Sequence, residues 1–237
     1  MSTGAITEGG EVVESFAAIG VRAFTTGRAD GSFGTASDEP VREVMARWSR
    51  LRHELGASGK RLATATQVHG AHVLTYESAW VGWLRGLDAD GHVAPSRGMA
   101  LAVTVADCVP VFIAHPAGLT AVLHSGWRGT AGRITEHALS LIEGYGLSAR
   151  DLHLHCGPAI CGKCYEVSPD VAAQLTGKPS DGPMYVDLRA LIAEHAAARG
   201  VRRITVSPLC TRCDNSRFFS HRAGDPGRQI GVIAAGA

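Results

Sequence analysis

The chain has 237 residues, of which 45% are apolar and 19% charged, with a formal net charge of +1. A chain of this size can bury about 70–75% of its unfolded surface without disulfides, and the balance excludes disordered, fibrous and coiled-coil classes. The near-zero charge gives no general pull toward nucleic acid or an anionic membrane, and no run reaches the roughly 18 apolar residues of a spanning helix.

In chain order, residues 1–15 read as a loose tail. Glu8, Glu11 and Glu14 with no basic segment do not make a secretory signal, so the cytoplasm is the expected compartment. Residues 20–26 read as a strand, followed by a turn-rich loop to Pro40. Pro40 opens a helix to about Leu55, with Val41, Val44, Met45, Trp48, Leu51 and Leu55 near helical spacing. Strands follow at 62–67 and 72–77, on either side of Val68-His69-Gly70-Ala71. Two more, at 99–105 and 109–115, flank Ala106-Asp107-Cys108, and one at 119–125 runs into Gly126-Trp127-Arg128-Gly129. Their apolar, β-branched runs predict burial on both faces.

A helix is expected from about Thr130 to Glu143, stopped by Gly144 and Gly146. A strand through 151–156 precedes a short helix capped by Ser168 and Pro169, and Asp187 caps another that Gly200 ends. RRITVSPLC, FFSHR and RQIGVIAA are the last strand candidates. Several adjacent strands have connections too short for crossover helices. The expected class is therefore α+β, a single domain over residues 16–237 of mixed β-sheets with helices packed outside.

Six cysteines in a cytosolic chain read as thiols, metal ligands or catalytic groups before disulfides. Three strand ends share one design. Gln67-Val68-His69-Gly70, Ala106-Asp107-Cys108-Val109 and His124-Ser125-Gly126-Trp127 each place a nucleophilic or metal-binding side chain beside a turn. One Cys and two His can hold zinc with a fourth position open to substrate, although their separations match no local ligand spacing. Arg128, always charged, suits phosphate, and the backbone of Gly126–Gly129 opens onto a helix start. Asp107 is the carboxylate nearest Cys108 in sequence and a candidate acid/base or substrate contact. Cys161-Gly162-Lys163-Cys164 with Cys210-Thr211-Arg212-Cys213 leaves three readings open: a structural zinc site, buried thiols, or a redox pair. His153-Leu154-His155 reads as packing, and Trp48, Trp80 and Trp83 as core or surface contacts.

The blocks TQVHG, TVADCVPV, LHSGWRGTAGRI, GPAICGKCYEV, LCTRCDNSRFFSHR and GRQIGVI, in that order over residues 66–233, resemble the YfiH/FAMIN family of laccase-domain proteins. The resemblance implies a metal pocket made by His69, Cys108 and His124, with zinc as the cofactor before copper. It implies purine nucleoside and phosphate as partners: phosphorolysis of adenosine, inosine or S-methyl-5′-thioadenosine, with adenosine deamination as a second activity. It also implies a substrate contact near Arg28, which stands one place later than the family's N-terminal Arg, and a pocket position for His221. Three rival expectations stand beside it, one of them a non-catalytic metal-binding or partner-binding module. Another is a cysteine hydrolase or amidase acting on peptidoglycan precursors, with Cys108 as nucleophile and His124 as base. The third is a copper polyphenol oxidase, against which stands the single His-x-His run. No nucleic-acid or membrane partner is expected, and the chain is expected to act as a monomer or homodimer.

Overall fold

The computed structural model describes residues 9–35, 39–77 and 80–236. Its elements run β1 (Glu11–Val12), β2 (Val21–Thr25), α1 (Val41–Glu54), β3 (Arg61–Ala65), β4 (Val73–Thr75), β5 (Gly82–Gly86), β6 (Gly91–Ala94), β7 (Met99–Val105), β8 (Val109–Ala114) and β9 (Thr120–Ser125). They continue α2 (Trp127–Ala131), α3 (Ile134–Gly144), β10 (His153–Cys156), β11 (Glu166–Val167), α4 (Pro169–Thr176), β12 (Met184–Tyr185), α5 (Leu188–Ala198), β13 (Arg203–Val206) and β14 (Gln229–Ala235).

The strands form two six-stranded mixed sheets, ordered β1-β2-β14-β7-β3-β5 and β13-β10-β8-β9-β6-β4, and a small β11-β12 pair. Side-chain alternation stacks the layers. Along β7, Met99, Leu101, Val103 and Val105 meet Phe112, Ala114 and Val122 of the second sheet. The alternate residues Ala100 and Ala102 turn the other way and pack with Val44, Trp48 and Leu51 of α1. Val109, Val111 and Ile113 of β8 face Ile134, Ala138, Ala172, Leu188 and Ile192 of α3, α4 and α5. The order is helix, sheet, sheet, helices: an α+β fold with helices outside mixed sheets. The central strands are unbroken apolar runs because a second sheet covers one face and helices the other.

Several boundaries differ from the sequence reading, each for a local reason. Residues 1–8 lie outside the described residues, but 11–15 are not loose, since Glu11 and Val12 pair with Thr25 and Phe24 and Val13 is buried. The helix expected from Thr130 is two helices, because Arg133 adopts φ 61° between α2 and α3. FFSHR is not a strand. The backbone of Phe219 donates to and accepts from the Gln229 side-chain amide (2.8 and 3.0 Å), which takes the place of a sheet neighbour.

Candidate metal centre and nucleoside cavity

His69, Cys108 and His124 come from three separate strand ends, and their ligand atoms lie within 4.8 Å of one another. Cys108 immediately precedes β8, and His124 stands on β9 opposite Pro110. The pairing of β8 with β9 therefore sets these two side by side. His69 lies in the loop after β3, with its ring 4.8 Å from that of His124 and nearly perpendicular to it (79°). Its φ is 60°, a left-handed conformation rare outside glycine. Gly126 completes the cradle: a Cβ there would come within 2.8 Å of Cys108 Sγ, so only glycine leaves the sulfur its room.

Asp90, fully buried just before β6, organises the cluster. Its carboxylate accepts the backbone N–H groups of Val68 (3.1 Å), His69 (3.0 Å) and Gly70 (2.7 Å). Three converging N–H groups are what the left-handed turn at His69 makes available, an anion-binding nest. Oδ1 also accepts Nδ1–H of His124 at 2.7 Å, which leaves His124 Nε2 facing Cys108. A carboxylate that fixes the far nitrogen of an imidazole is the usual support of a metal-binding histidine. Burial alone would raise the Asp90 carboxyl, but His124 and the backbone donors bring it below its ordinary value.

Without a metal the cluster is a charged pair. Burial pushes the Cys108 thiol up, but the charge of His124 and hydrogen bonds from His124 and His69 outweigh it and bring it to about 6. His124 shows the converse. Burial opposes its cation, yet the Cys108 thiolate and Asp90 lift it to about 9. Two imidazole nitrogens and one thiolate form the borderline-soft donor set that suits zinc, with the fourth position of a tetrahedron left to substrate.

The three residues of the cluster line a cavity of about 460 Å³, a volume suited to a small ligand. Trp48 and Trp83 stack on each other (4.6 Å, 30°) and form part of its wall. Each indole N–H is anchored, Trp48 to Phe33 O at 3.1 Å and Trp83 to Thr64 Oγ1 at 2.8 Å. Gln67 also lines the cavity, its amide held at both ends by Thr104. Arg85, Arg228 and His221 supply the cationic and polar lining.

The other sequence candidates stand outside this lining. Arg128 is exposed on α2, with its guanidinium 4.4 Å from the centroid of its own neighbour, Trp127. Arg28 donates to Asn215 O, Phe218 O and Asp225 Oδ2 (2.9, 3.1 and 2.7 Å) and stacks on Phe219, so it braces the 215–225 loop. Asp107, at φ 80°, accepts Thr211 Oγ1–H (2.6 Å) and Arg222 N–H (2.7 Å), a clamp with both oxygens engaged. His155 bonds Thr205 and Glu11, away from the cluster. Asp90, Gln67, Arg85, Arg228 and the paired tryptophans were not singled out for the site from sequence. The only signal for Asp90 was an aspartate directly before the glycine that opens a short apolar run.

The family described as multi-copper polyphenol oxidoreductase laccase matches residues 24–236. The chain belongs to this family. Among the relatives of this laccase-family chain is a purine nucleoside phosphorylase of Mycobacterium bovis, 36% identical over 224 residues that cover 87% of this chain and 88% of that one. Another is adenosine deaminase RL5 from an unknown prokaryotic organism, 30% identical over 237 residues, covering 86% and 88%. The YfiH protein of Bacillus licheniformis shares the fold with a TM-score of 0.85 at 24% identity, covering 98% of each chain.

Proposed function

We propose that this laccase-family chain is a purine nucleoside phosphorylase whose metal, zinc, is held by His69, Cys108 and His124. The observation that carries the reading is that this N₂S cluster lines the same cavity as Trp48, Trp83, Arg85 and Arg228. The name of the Mycobacterium bovis relative supports this reaction, and that of adenosine deaminase RL5 supports only a purine nucleoside as substrate. The flat indole wall offers a purine base a stacking surface. Arg85 offers phosphate a charged, planar set of donors, and Arg228, whose Nη1 is held by the carbonyls of Asp225, Pro226 and Gly227, adds its remaining N–H groups; this is the role that sequence reasoning gave to Arg128. A phosphate oxygen bonds to C1′ of the ribose as the C1′–N9 bond breaks. The bond's electron pair leaves with the purine, which takes up a proton. Holding both reactants in one cavity supplies much of the acceleration. Zinc, when bound, supplies Lewis acidity toward charge developing on the substrate. Asp90 keeps His124 Nδ1 protonated and its Nε2 directed at the cluster.

Phosphorolysis is favoured over deamination by the lining. Deamination needs a carboxylate to move protons. Among the described residues no Asp or Glu lines the cavity, and both Asp107 and Asp90 have their oxygens bonded elsewhere. A copper cluster fits less well. The donor groups among the described residues are one N₂S set and one set of four sulfurs, and His155 is already bonded to Thr205 and Glu11.

The test incubates zinc-loaded protein with adenosine, inosine and S-methyl-5′-thioadenosine, with and without phosphate, and follows the products by chromatography. Free base is expected only with phosphate. Conversion of adenosine to inosine that ignores phosphate would make the enzyme a deaminase, and no turnover of any of the three would remove the reading.

A second reading rests on one observation: Asp90, His124 and Cys108 lie in line as acid, base and nucleophile do in a cysteine hydrolase. His69 argues against it, since such a triad has no use for a second imidazole at the sulfur.

A further inference from the structure

The two C-x-x-C segments play no part in the nucleoside cavity, yet the fold sets them against each other. Cys161-Gly162-Lys163-Cys164 follows β10, and Cys210-Thr211-Arg212-Cys213 follows β13, the parallel neighbour of β10. The pairing continues past the strands. Ala159 bridges Cys210, and Thr211 N–H donates to Ala159 O at 3.2 Å. Two knuckles 49 residues apart are thereby brought alongside.

We propose that Cys161, Cys164, Cys210 and Cys213 form a second, structural metal site, a tetrahedral four-thiolate site for zinc. All four sulfurs lie within 4.8 Å of one another, and Cys164 Sγ and Cys213 Sγ are 3.5 Å apart. Zinc–sulfur bonds of about 2.3 Å in a tetrahedron put the sulfurs about 3.8 Å from each other, whereas a disulfide needs about 2.05 Å. The arrangement has the spacing of a cage.

The surroundings of the sulfurs agree. Cys164 N–H and Tyr165 N–H both donate to Cys161 O (2.9 and 3.0 Å), which folds the first knuckle into a tight turn. Cys210 Sγ accepts the backbone N–H groups of Cys161 (3.3 Å) and Cys213 (3.4 Å), one from each knuckle. Backbone donors aimed at a sulfur stabilise a thiolate and orient it as a ligand. Four thiolates and one divalent cation leave a charge of −2. Each knuckle carries one cation beside its sulfurs, Lys163 and Arg212, and Arg212 also donates to Cys164 O at 3.2 Å. Metal entry releases the thiol protons to solvent and changes no oxidation state.

Such a site would stiffen a wall of the cavity from outside. Thr211, inside the second knuckle, donates to Asp107 beside Cys108, and Asp107 also holds the backbone of Arg222, next to the cavity residue His221.

The test counts metal in the full-length chain, reduced and then equilibrated with cobalt(II), for wild type and Cys108→Ala. Wild type is expected to hold two equivalents. Cys108→Ala is expected to keep one, with the strong near-ultraviolet sulfur-to-metal absorption of several thiolates. Because Cys108→Ala leaves both knuckles intact, misfolding of the knuckles cannot mimic the result. A double change, Cys164→Ser with Cys213→Ser, should lose that absorption and one equivalent. Retention of one equivalent with the absorption in both wild type and Cys108→Ala would uphold the second site while removing metal from the nucleoside cavity. One equivalent in wild type and none in Cys108→Ala overturns the proposal. So does a Cys164–Cys213 disulfide found by mass spectrometry in protein isolated without reductant.

Discussion

Cys108→Ala is expected to lower kcat/KM for phosphorolysis by about 10³-fold or more, equivalent to about 4 kcal/mol of transition-state stabilisation. The substitution removes the only thiolate of the N₂S cluster and leaves two neutral donors that hold a divalent cation far less tightly. In the metal-free protein it also takes the thiolate partner from the buried His124 cation, so the melting temperature of that form should fall as well. The same cysteine separates the two readings of the site. In metal-stripped protein its thiolate forms as pH rises through about 6, because His124 and His69 stabilise the anion against burial. Alkylation by iodoacetamide should therefore speed up from pH 5 to 7 and then level off. Cys156, which burial pushes up to about 12, should stay unmodified. Zinc should protect Cys108, and stripping zinc should abolish turnover. Full activity in metal-stripped protein, lost on alkylation, would make Cys108 a nucleophile and end the phosphorylase reading. An unchanged Cys108→Ala enzyme would remove the residue from both.

The architecture was legible where both faces of an element carried the same message. β7, β8, β9 and β14 are continuous apolar runs, and α1 shows its buried stripe of Val44, Trp48 and Leu51 at helical spacing. β5 and β6 were not legible. β5 is an edge strand with a glycine at each end, and β6 is four residues long, so neither presents a pattern long enough to register. The same limit governed the site. His69, Cys108 and His124 could be marked because each ends a readable strand. Trp48 and Trp83 could not be assigned to a cavity, since their stacking depends on how α1 settles against β3 and β5, which no local spacing encodes. Arg28 and Asp107 looked available in sequence because the 211–225 loop that engages them lies more than a hundred residues away in the chain. Asp90 is 21 residues from His69 and 34 from His124, between the strands expected at 72–77 and 99–105.

Asp90→Asn should impair the enzyme without touching a metal ligand, which makes Asp90 a positioning residue. One buried carboxylate accepts three backbone N–H groups and the Nδ1–H of His124, so every contact it makes requires an acceptor. An amide replaces one oxygen with a donor. Whichever way it turns, its NH₂ meets either backbone N–H groups or the imidazole N–H, and the buried partner of His124⁺ is gone. Breaking a buried pair from one side costs about 3–5 kcal/mol, which for a chain of this length lowers the melting temperature by about 10 °C. Loss of the support behind a metal-binding histidine weakens metal binding by about 10–100-fold, and kcat/KM should fall at least as far. Destabilisation alone does not reach the titration of Cys108. With the Asp90 charge removed, His124 becomes a weaker acid-form partner, and the thiolate it stabilises should form at higher pH in the metal-free protein. The pH at which alkylation reaches half its plateau rate should therefore move upward from about 6. If zinc affinity and the alkylation profile of Asp90→Asn both match wild type while only the melting temperature falls, Asp90 supports the fold and takes no part in setting the site.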